Sequence, residues 1–307
     1  MKVLKRLLKI TLYTLISVIG SFILLIGVLN GVKFIIYDDY YSIKEDLCTN
    51  PGLNDGAVPQ GIAVSEDEDL VLTTAYMTDH SQSRLYVTNS RNEAKCLLLT
   101  YKNEPFYGHV GGISLDGNDA YISDEKKLYH LNLLDIKAKA NKDSIDIGEG
   151  ISVNNQASFT YAHDGFLYVG EFHYGPYQCE NIIGNNHAIC TKYSLSDLTK
   201  PLEIYSIRDK VQGFCVTDRG DIVLSTSWSV NDSVLYVYNK ENIKKTGEYQ
   251  GVDLYELTTE DRKILAPAMT EDLSYANGRV YTLFESACNK YLFGKLFGAF
   301  EIASLAI

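Results

Sequence analysis

Several sequence patterns that carry chemistry in other proteins are missing from this chain of 307 residues. It has no glycine-rich phosphate loop, no nucleophile elbow, no zinc-protease helix motif and no paired Cys-x-x-Cys motif. Its 28 basic residues are outnumbered by 39 acidic ones, and the net charge of −11 excludes the basic footprint of a nucleic-acid-binding protein. Tryptophan occurs only once, whereas tyrosine occurs 23 times, which is typical of half-buried strands. The composition therefore favours an all-β protein but does not indicate which reaction, if any, it catalyses.

The N-terminus contains one long uncharged run. Ile10 to Leu29 is long enough to cross a hydrocarbon core of about 30 Å as a helix. Four basic residues precede this run, and no small-x-small cleavage site follows it, which favours an uncleaved signal-anchor over a cleaved signal peptide. The charge asymmetry predicts a single-pass protein of the cell membrane, with a cytoplasmic N-terminus and an extracytoplasmic, extracellular part from about Lys33 onward.

A hairpin-rich pattern recurs along the rest of the chain. Each unit begins with a short inner strand, turns at a motif such as Asp-Gly or Asn-Gly and returns as a second strand. Repeats of this length predict a β-propeller. We expect five blades; the alternative is six, with an extra hairpin hidden in residues 243–265. The predicted units are a basic tip and membrane helix at 1–33, a linker with a ring-closing strand at 34–58 and the propeller at 59–307.

Closing the ring requires a strand from outside the repeats, because an unpaired sheet edge is a liability. The segment Tyr40 to Ile43 is predicted to add the outer strand of the fifth blade. Ser144 to Ile147 and Asp253 to Thr258 are predicted to be the outer strands of the second and fourth blades.

Six cysteines fit an oxidising compartment. Cys179 and Cys190 flank a loop rich in glycine and asparagine, and a disulfide bond between them is expected to stabilise this loop by about 3 kcal/mol. The alternative is that some cysteines are buried free thiols, with Cys215 in mid-strand as the best candidate.

The propeller geometry predicts where a site would form. Inner strands lie next to the axis, so the residues at their starts should converge around a central channel: Gln60, Gly111, Gln156, Gln212 and Glu271. His109 precedes Gly111 by two residues and is expected to fill the gap left by the glycine. The predicted use is ligand binding; the alternative is that these residues only satisfy polar strand ends and hold buried water.

Four more side chains are predicted to join this site from the ends of second strands and the loops after them: Glu171, His173, Trp228 and Glu285. Glu171 and His173 are spaced so that both could ligate a metal, with His187 in the neighbouring loop; a hydrogen-bonded surface pair is the alternative. Trp228 could stack on a ligand or pack between loops.

Four phrases, VPQGIAV, GHVGGISL, VQGFCV and APAMTEDLSYANGRVYTLFESA, resemble those of uncharacterised bacterial secreted β-propeller proteins. More distantly, the chain resembles the propeller superfamily of gluconolactonase, strictosidine synthase and paraoxonase. The distant resemblance implies a calcium-type cation held in the channel by Glu, Asn and Asp at the starts of inner strands. Glu271 has the matching residue type and place, so it is the expected metal ligand.

Two functions follow as hypotheses. The first is a membrane-anchored propeller that binds a sugar, peptide, small molecule or partner protein with its loops and channel. The second is a metal-dependent hydrolase of lactone, ester or phosphoester bonds, in which a divalent cation such as calcium lies near Glu271 and His109 is the base.

Overall fold

A single long helix opens the chain and is followed by a short one. The structure is a computed structural model that describes residues 2–291 and 293–307. The first helix, Lys2–Ile36, has no buried residue and is long and apolar enough to cross a membrane. The second helix, Asp38–Ile43, leads into the strand Lys44–Thr49.

The rest of the chain forms a five-bladed β-propeller, as the repeats predict. Five sheets, each built on an antiparallel meander, stand around one axis. Each of the five inner strands contacts its two neighbours, so that the ring is closed. The inner strands are Ala57–Val64, Gly112–Asp116, Phe159–His163, Val211–Val216 and Thr270–Ala276. Because each strand reverses direction, every inner strand begins on the same side of the ring as the connections between second and third strands. We call this side the top face.

Each blade is completed by strands that lie progressively further from the axis. In blades 1 and 2 these are Val71–Met77, Arg84–Thr88 and Lys95–Tyr101, then Asp119–Asp124, Lys127–Asn132 and Ile151–Ser152. In blades 3 and 4 they are Phe166–Gly170, Ala188–Ser194 and Asp197–Ile207, then Ile222–Thr226, Ser233–Tyr238 and Arg262–Ala266. In blade 5 they are Arg279–Phe284, Glu301–Leu305 and, from the N-terminal side, Lys44–Thr49.

The tight turns have the backbone conformation that their Asp-Gly and Asn-Gly sequences predict. Asp164 and Gly165 both have positive φ, 50° and 75°, and so do Asn277 and Gly278, 51° and 74°. A two-residue hairpin turn with both central residues in this region matches the right-handed twist of the flanking strands.

The ring is closed by an N-terminal strand, but not by the residues predicted. Lys44–Thr49 pairs antiparallel with Glu301–Leu305, whereas Tyr40 to Ile43 belongs to the short helix. The reason is packing: the ring of Tyr40 is fully buried and lies edge-on to Phe284. Burying this large side chain between blades 4 and 5 favours a helical turn there, and the strand begins directly after it.

Two predicted outer strands belong to neighbouring blades instead, and there is no sixth blade. Ser144–Asp146 pairs parallel with the outer strand of blade 1. The hairpin Lys245–Tyr249 and Val252–Glu256 pairs parallel with the outer strand of blade 3, so the extra hairpin widens that sheet. The remaining short elements are the strand Glu104–Pro105, the helix Leu133–Ala138 and the 3-10 turns Leu53–Asp55, Lys240–Asn242 and Gly294–Phe297.

The prediction of a disulfide bond between Cys179 and Cys190 is wrong, since all six cysteines are free. Cys179 lies in the loop and directs its Sγ to the carbonyl oxygen of Phe172 at 3.3 Å. Cys190 is fully buried within Ala188–Ser194, where it pairs with Gly170 on one side and Tyr205 on the other. The loop is instead ordered by two small bridges, Tyr174 with Tyr177 and Ile183 with Asn186.

Glycine in the inner strands allows the blades to approach closely at the axis. A Cβ at Gly61 would lie 2.5 Å from the backbone nitrogen of Ile113, and one at Gly213 would lie 2.5 Å from that of Leu273. Both glycines have ordinary negative φ and lie within strands, so the Gln-Gly pairs do not form turns. They are contact points between neighbouring inner strands.

Candidate ligand-binding site at the channel mouth

The starts of three inner strands share one local irregularity. The pairing with the second strand shifts register between Pro59 and Ile62, between Val211 and Gly213, and between Thr270 and Leu273. Each shift is a β-bulge, which re-aims side chains and is common next to binding sites. Gln60, Gln212 and Glu271 therefore occupy equivalent, bulged positions at the top of the ring.

The equivalent position in blade 3 is not the one predicted. Gly61 contacts Gly112 and Ile113, and Gly112 in turn contacts Phe159 and Thr160. The residue before Phe159 is Ser158, so Ser158 matches Gln60 while Gln156 matches His109, two residues earlier. The predicted residue therefore lies two positions too early in blade 3, which has Gln156-Ala157 and lacks the Gln-Gly pair of blades 1 and 4.

A pair of carboxyl groups forms the centre of the site. Glu271 is 4% exposed, and its Oε1 has no hydrogen-bond partner in the part of the chain that the structure describes. Glu285, at the end of the second strand of blade 5, accepts a hydrogen bond from Gln60 Nε2 at 3.3 Å and another from the side chain of Tyr291. We refer to Glu271 and Glu285 as the carboxyl pair.

Burial makes the carboxyl pair hard to ionise. Loss of hydration raises the pKa of Glu271 well above its ordinary value, and the charges of Glu285 and Asp272 add to this effect. Loss of hydration raises the pKa of Glu285 to about 7, although Lys290, Tyr291 and Gln60 lower it in part. At neutral pH the pair therefore retains at least one proton and can both donate and accept hydrogen bonds.

Aromatic rings and one ammonium group complete the site. His109 stacks on Tyr76, with ring centroids 4.8 Å apart, and Lys290 lies over Tyr76 at 4.8 Å and over Tyr291 at 5.0 Å. His109 keeps an accessible face, yet loss of hydration and then the charge of Lys290 lower its pKa to about 4. The imidazole of His109 is therefore neutral at pH 7. The mouth cluster comprises Gln60, Tyr76, His109, Glu271, Glu285, Lys290 and Tyr291.

Asp272 fixes the strands beneath this cluster. Its Oδ2 accepts the backbone N–H groups of Ile62 and Ile113, both at 3.3 Å, and its Oδ1 accepts that of Leu273 at 2.9 Å. One fully buried carboxyl group thus joins the inner strands of blades 1, 2 and 5. The carboxyl group of Asp272 thus has a structural role, whereas the described residues leave Oε1 of the adjacent Glu271 without a hydrogen bond.

The other predicted site residues lie outside the mouth cluster. Glu171 is almost fully buried and accepts hydrogen bonds from the side chain of Asn181 and the backbone of Ile189 and Gln156. Gln212 is partly buried and has no side-chain hydrogen bond among the described residues. Glu171 therefore anchors a loop and does not pair with His173 as predicted.

Trp228 and His173 form separate groups on the top face, next to blade 3. Trp228 lies against Phe172 at 6.0 Å and Tyr174 at 5.2 Å, so it packs between loops. His173 stacks on His187, with ring centroids 4.9 Å apart.

The donor set beside Glu271 does not fit calcium, which takes six to eight oxygen ligands. Gln60 directs its amide nitrogen, a donor, towards Glu285, and Lys290 already supplies positive charge to the pair. No third carboxylate, imidazole or thiol joins these two groups at ligating distance within the described part of the chain. The structure therefore does not support Glu271 as a calcium ligand.

Sequence reasoning missed Tyr76, Lys290 and Tyr291. Tyr76 stands at the end of the second strand of blade 1, the same place that singled out Glu285 in blade 5, so the repeat alignment could have identified it. Lys290 and Tyr291 lie in a connection with no repeat signal. A cavity of about 660 Å³ lies elsewhere, beside Arg84 and Cys96 at the edge of blade 1.

Comparison with known proteins identifies no family for this chain. No protein-family model and no curated protein matches the chain. Similar solved structures include the PQQ-bound aldose sugar dehydrogenase of Streptomyces coelicolor, at 12% identity and a TM-score of 0.42 over 79% of this chain and 77% of that one. They also include a gluconolactonase of Xanthomonas campestris, at 10% identity and a TM-score of 0.40 over 85% of this chain and 94% of that one. Similarities this low do not bear on function.

Proposed function

We propose that this protein is a membrane-anchored, extracytoplasmic propeller that binds the hydroxylated, sugar-like head group of an amphiphile at the membrane surface. The observation that carries the proposal is the buried Glu271 at the channel mouth, whose Oε1 has no hydrogen-bond partner among the described residues. A buried acceptor without a partner costs about 1–3 kcal/mol, which a ligand that donates a hydrogen bond would recover.

The membrane component rests on where the first helix joins the propeller. Lys33 Nζ donates to the carbonyl oxygen of Gly298, and the hydroxyl of Tyr37 donates to Asp232. Gly298 and Asp232 both belong to connections between second and third strands, which are on the top face. The turn Gly294–Phe297 also contacts the helix. A membrane around Ile10 to Leu29 would thus be adjacent to the face that carries the mouth cluster.

Exposed apolar side chains support the same orientation. Nine large apolar side chains are exposed outside the first helix among the described residues, and six of them belong to top-face connections. These six are Tyr107, Tyr177, Ile182, Val230, Phe293 and Phe300. Such side chains are tolerated where a protein touches the interfacial region of a bilayer.

The chemistry of the mouth cluster favours a neutral hydroxylated group. The carboxyl pair and Gln60 offer acceptors and donors, while Tyr76 and His109 offer ring faces. An ammonium head group would meet the positive charge of Lys290. The hydrolase alternative requires a cation beside Glu271, and the donor set there does not favour it.

The proposed head-group binding is tested with hexyl glucoside as the probe. The full chain in micelles of a sugar-free zwitterionic detergent is heated with and without hexyl glucoside, hexanol or glucose. A ligand at about 100 times its Kd should stabilise the fold by about 2.7 kcal/mol. We expect this stabilisation with hexyl glucoside in the native protein, and its loss in Glu271→Ala.

The control is Glu241→Ala, which changes an exposed glutamate on the turn Lys240–Asn242 and should leave the response intact. An equal response in Glu271→Ala and the native protein would refute the site. A response to glucose equal to that to hexyl glucoside would support the site and refute the need for an apolar tail.

The membrane-facing orientation has its own test, because Trp228 is the only tryptophan and belongs to the top face. In nanodiscs with brominated lipids we expect quenching of Trp228 fluorescence. The control is Trp228→Phe combined with Leu134→Trp, since Leu134 is exposed in the helix on the opposite face. Stronger quenching in the control than in the native protein would refute this orientation.

A further inference from the structure

Two connections at the top of blade 3 bring two imidazoles and a carboxylate together. His173 follows the second strand, His187 immediately precedes the third, and Asp209 lies between blades 3 and 4. We propose that His173, His187 and Asp209 form a binding site for a divalent ion of the zinc class, separate from the mouth cluster.

The distances suit a small tetrahedral ion. One potential ligand atom of each residue lies within 4.8 Å of the other two, and His187 Nδ1 is 3.0 Å from Asp209 Oδ1. With metal–ligand bonds of 2.0–2.1 Å, two ligands of a tetrahedral zinc ion are about 3.3 Å apart. The hydrogen bond between His187 and Asp209 therefore has nearly the length of one edge of that tetrahedron, and a metal ion can replace its proton.

The loop around His173 holds its ring in place. The backbone N–H of Cys179 donates to His173 Nδ1 at 3.0 Å, and the N–H of Lys210 donates to the carbonyl oxygen of His173 at 3.1 Å. Ligation through Nδ1 would replace the hydrogen bond from Cys179. Ligation through Nε2 would leave this hydrogen bond in place.

Neighbouring cations are directed away from the three ligands. Arg208 binds Glu260 and the hydroxyl of Tyr238, and the ammonium of Lys210 lies over the ring of Tyr174 at 4.0 Å. Among the described residues, Asp209 has His187 as its only ion-pair partner. Its charge is therefore available to a metal ion.

The ligand types indicate which ions would bind. Imidazole with a carboxylate suits zinc, copper and nickel, whereas calcium and magnesium prefer oxygen ligands alone. Three protein ligands leave a fourth position of a tetrahedral ion for water or an external ligand. All three residues are only partly buried, so this position is accessible from solvent.

The proposal is tested by metal binding to the full chain, purified in micelles without a histidine tag and stripped with chelator. We expect one equivalent of Zn²⁺ to bind in a competition titration, and Co²⁺ to give the visible absorption of a tetrahedral site. His173→Ala and His187→Ala should each weaken zinc binding by about 100-fold or more, because even outer partners of metal ligands contribute 10–100-fold. Asp209→Asn should weaken it by about 10-fold or more.

His130 provides a matched control, because it forms an exposed pair with Asp119 at 2.6 Å that no third ligand joins among the described residues. His130→Ala should leave zinc binding unchanged. The proposal is overturned if the native chain binds no zinc, or if binding is equal in the native chain and a His173→Ala, His187→Ala double variant that melts at the native temperature.

Discussion

Replacing Glu285 by glutamine should stabilise the protein at neutral and alkaline pH. The pKa of Glu285 is raised from an ordinary value of 4.5 to about 7 in the folded chain, so the folded state holds a proton that the unfolded state releases. The contribution of protonated Glu285 to the free energy of unfolding is fully present below pH 4.5 and is lost as the pH rises through 7. A shift of this size corresponds to about 3 kcal/mol, and glutamine, which never ionises, avoids the loss.

The assay is thermal unfolding of the full chain between pH 4 and pH 8. At pH 4 the native protein and Glu285→Gln should melt at similar temperatures. At pH 8 the variant should melt higher by roughly 6–12 °C, at roughly 2–4 °C per kcal/mol. His109 titrates in the opposite direction, since its pKa is lowered, but it is present in both proteins and cancels in the difference.

Glu241→Gln removes an exposed carboxyl group elsewhere and controls for the change in net charge. Parallel melting curves for Glu285→Gln and the native protein over the whole pH range would refute the reasoning, because they would mean that Glu285 is as well hydrated in the folded chain as in the unfolded one.

Three further predictions concern the fold. Gly213→Ala should lower the free energy of unfolding by about 1–3 kcal/mol, because the new Cβ would lie 2.5 Å from the backbone nitrogen of Leu273. Chemical denaturation measures this loss, and Gly247→Ala is the control because a Cβ there meets open space. Equal losses of stability in the two variants would contradict the prediction. Asp272→Asn should cost about 1–3 kcal/mol in the same assay, because an amide cannot accept all three backbone N–H groups, and native stability would contradict that role. All six cysteines should be alkylated in denaturant without reductant, as measured by mass spectrometry. A mass corresponding to only four alkylated thiols would show that a disulfide bond is present.

The fold was predictable because its signals are local and repeated. Turns with Asp-Gly and Asn-Gly, and strands of alternating polarity, recur often enough to define five units. Strand partners outside the repeat were less predictable. Nothing in Ser144–Asp146 or Val252–Glu256 indicates that each pairs parallel with a neighbouring blade, since a parallel partner is set by tertiary contact and not by a turn. The helix at Tyr40 likewise results from burial against Phe284.

The candidate site was predictable only where the repeat marks it. Gln60 and Glu271 are at equivalent positions, so their proximity at the axis follows from the fold, and Glu285 follows from its place at a strand end. Gln156 was misplaced because the register of blade 3 depends on the approach of Gly112 to Phe159, a contact that sequence does not display. Cys179 and Cys190 flank a loop as a disulfide pair would, but one of them is buried in mid-strand.

The adjacent residues Glu271 and Asp272 differ in role at the top of the ring: the contacts of Asp272 stabilise the fold, and we assign Glu271 to ligand binding. A β-bulge directs the two carboxyl groups differently. Asp272 accepts three backbone N–H groups from three blades, while Glu271 has an oxygen that meets no partner within the described residues. A chain that needed only a polar strand end could satisfy both groups, and burying the second acid costs stability at neutral pH. That cost is understandable if Glu271 is held ready for a ligand, because a preorganised acceptor gains most from a donor when the protein has left it without one.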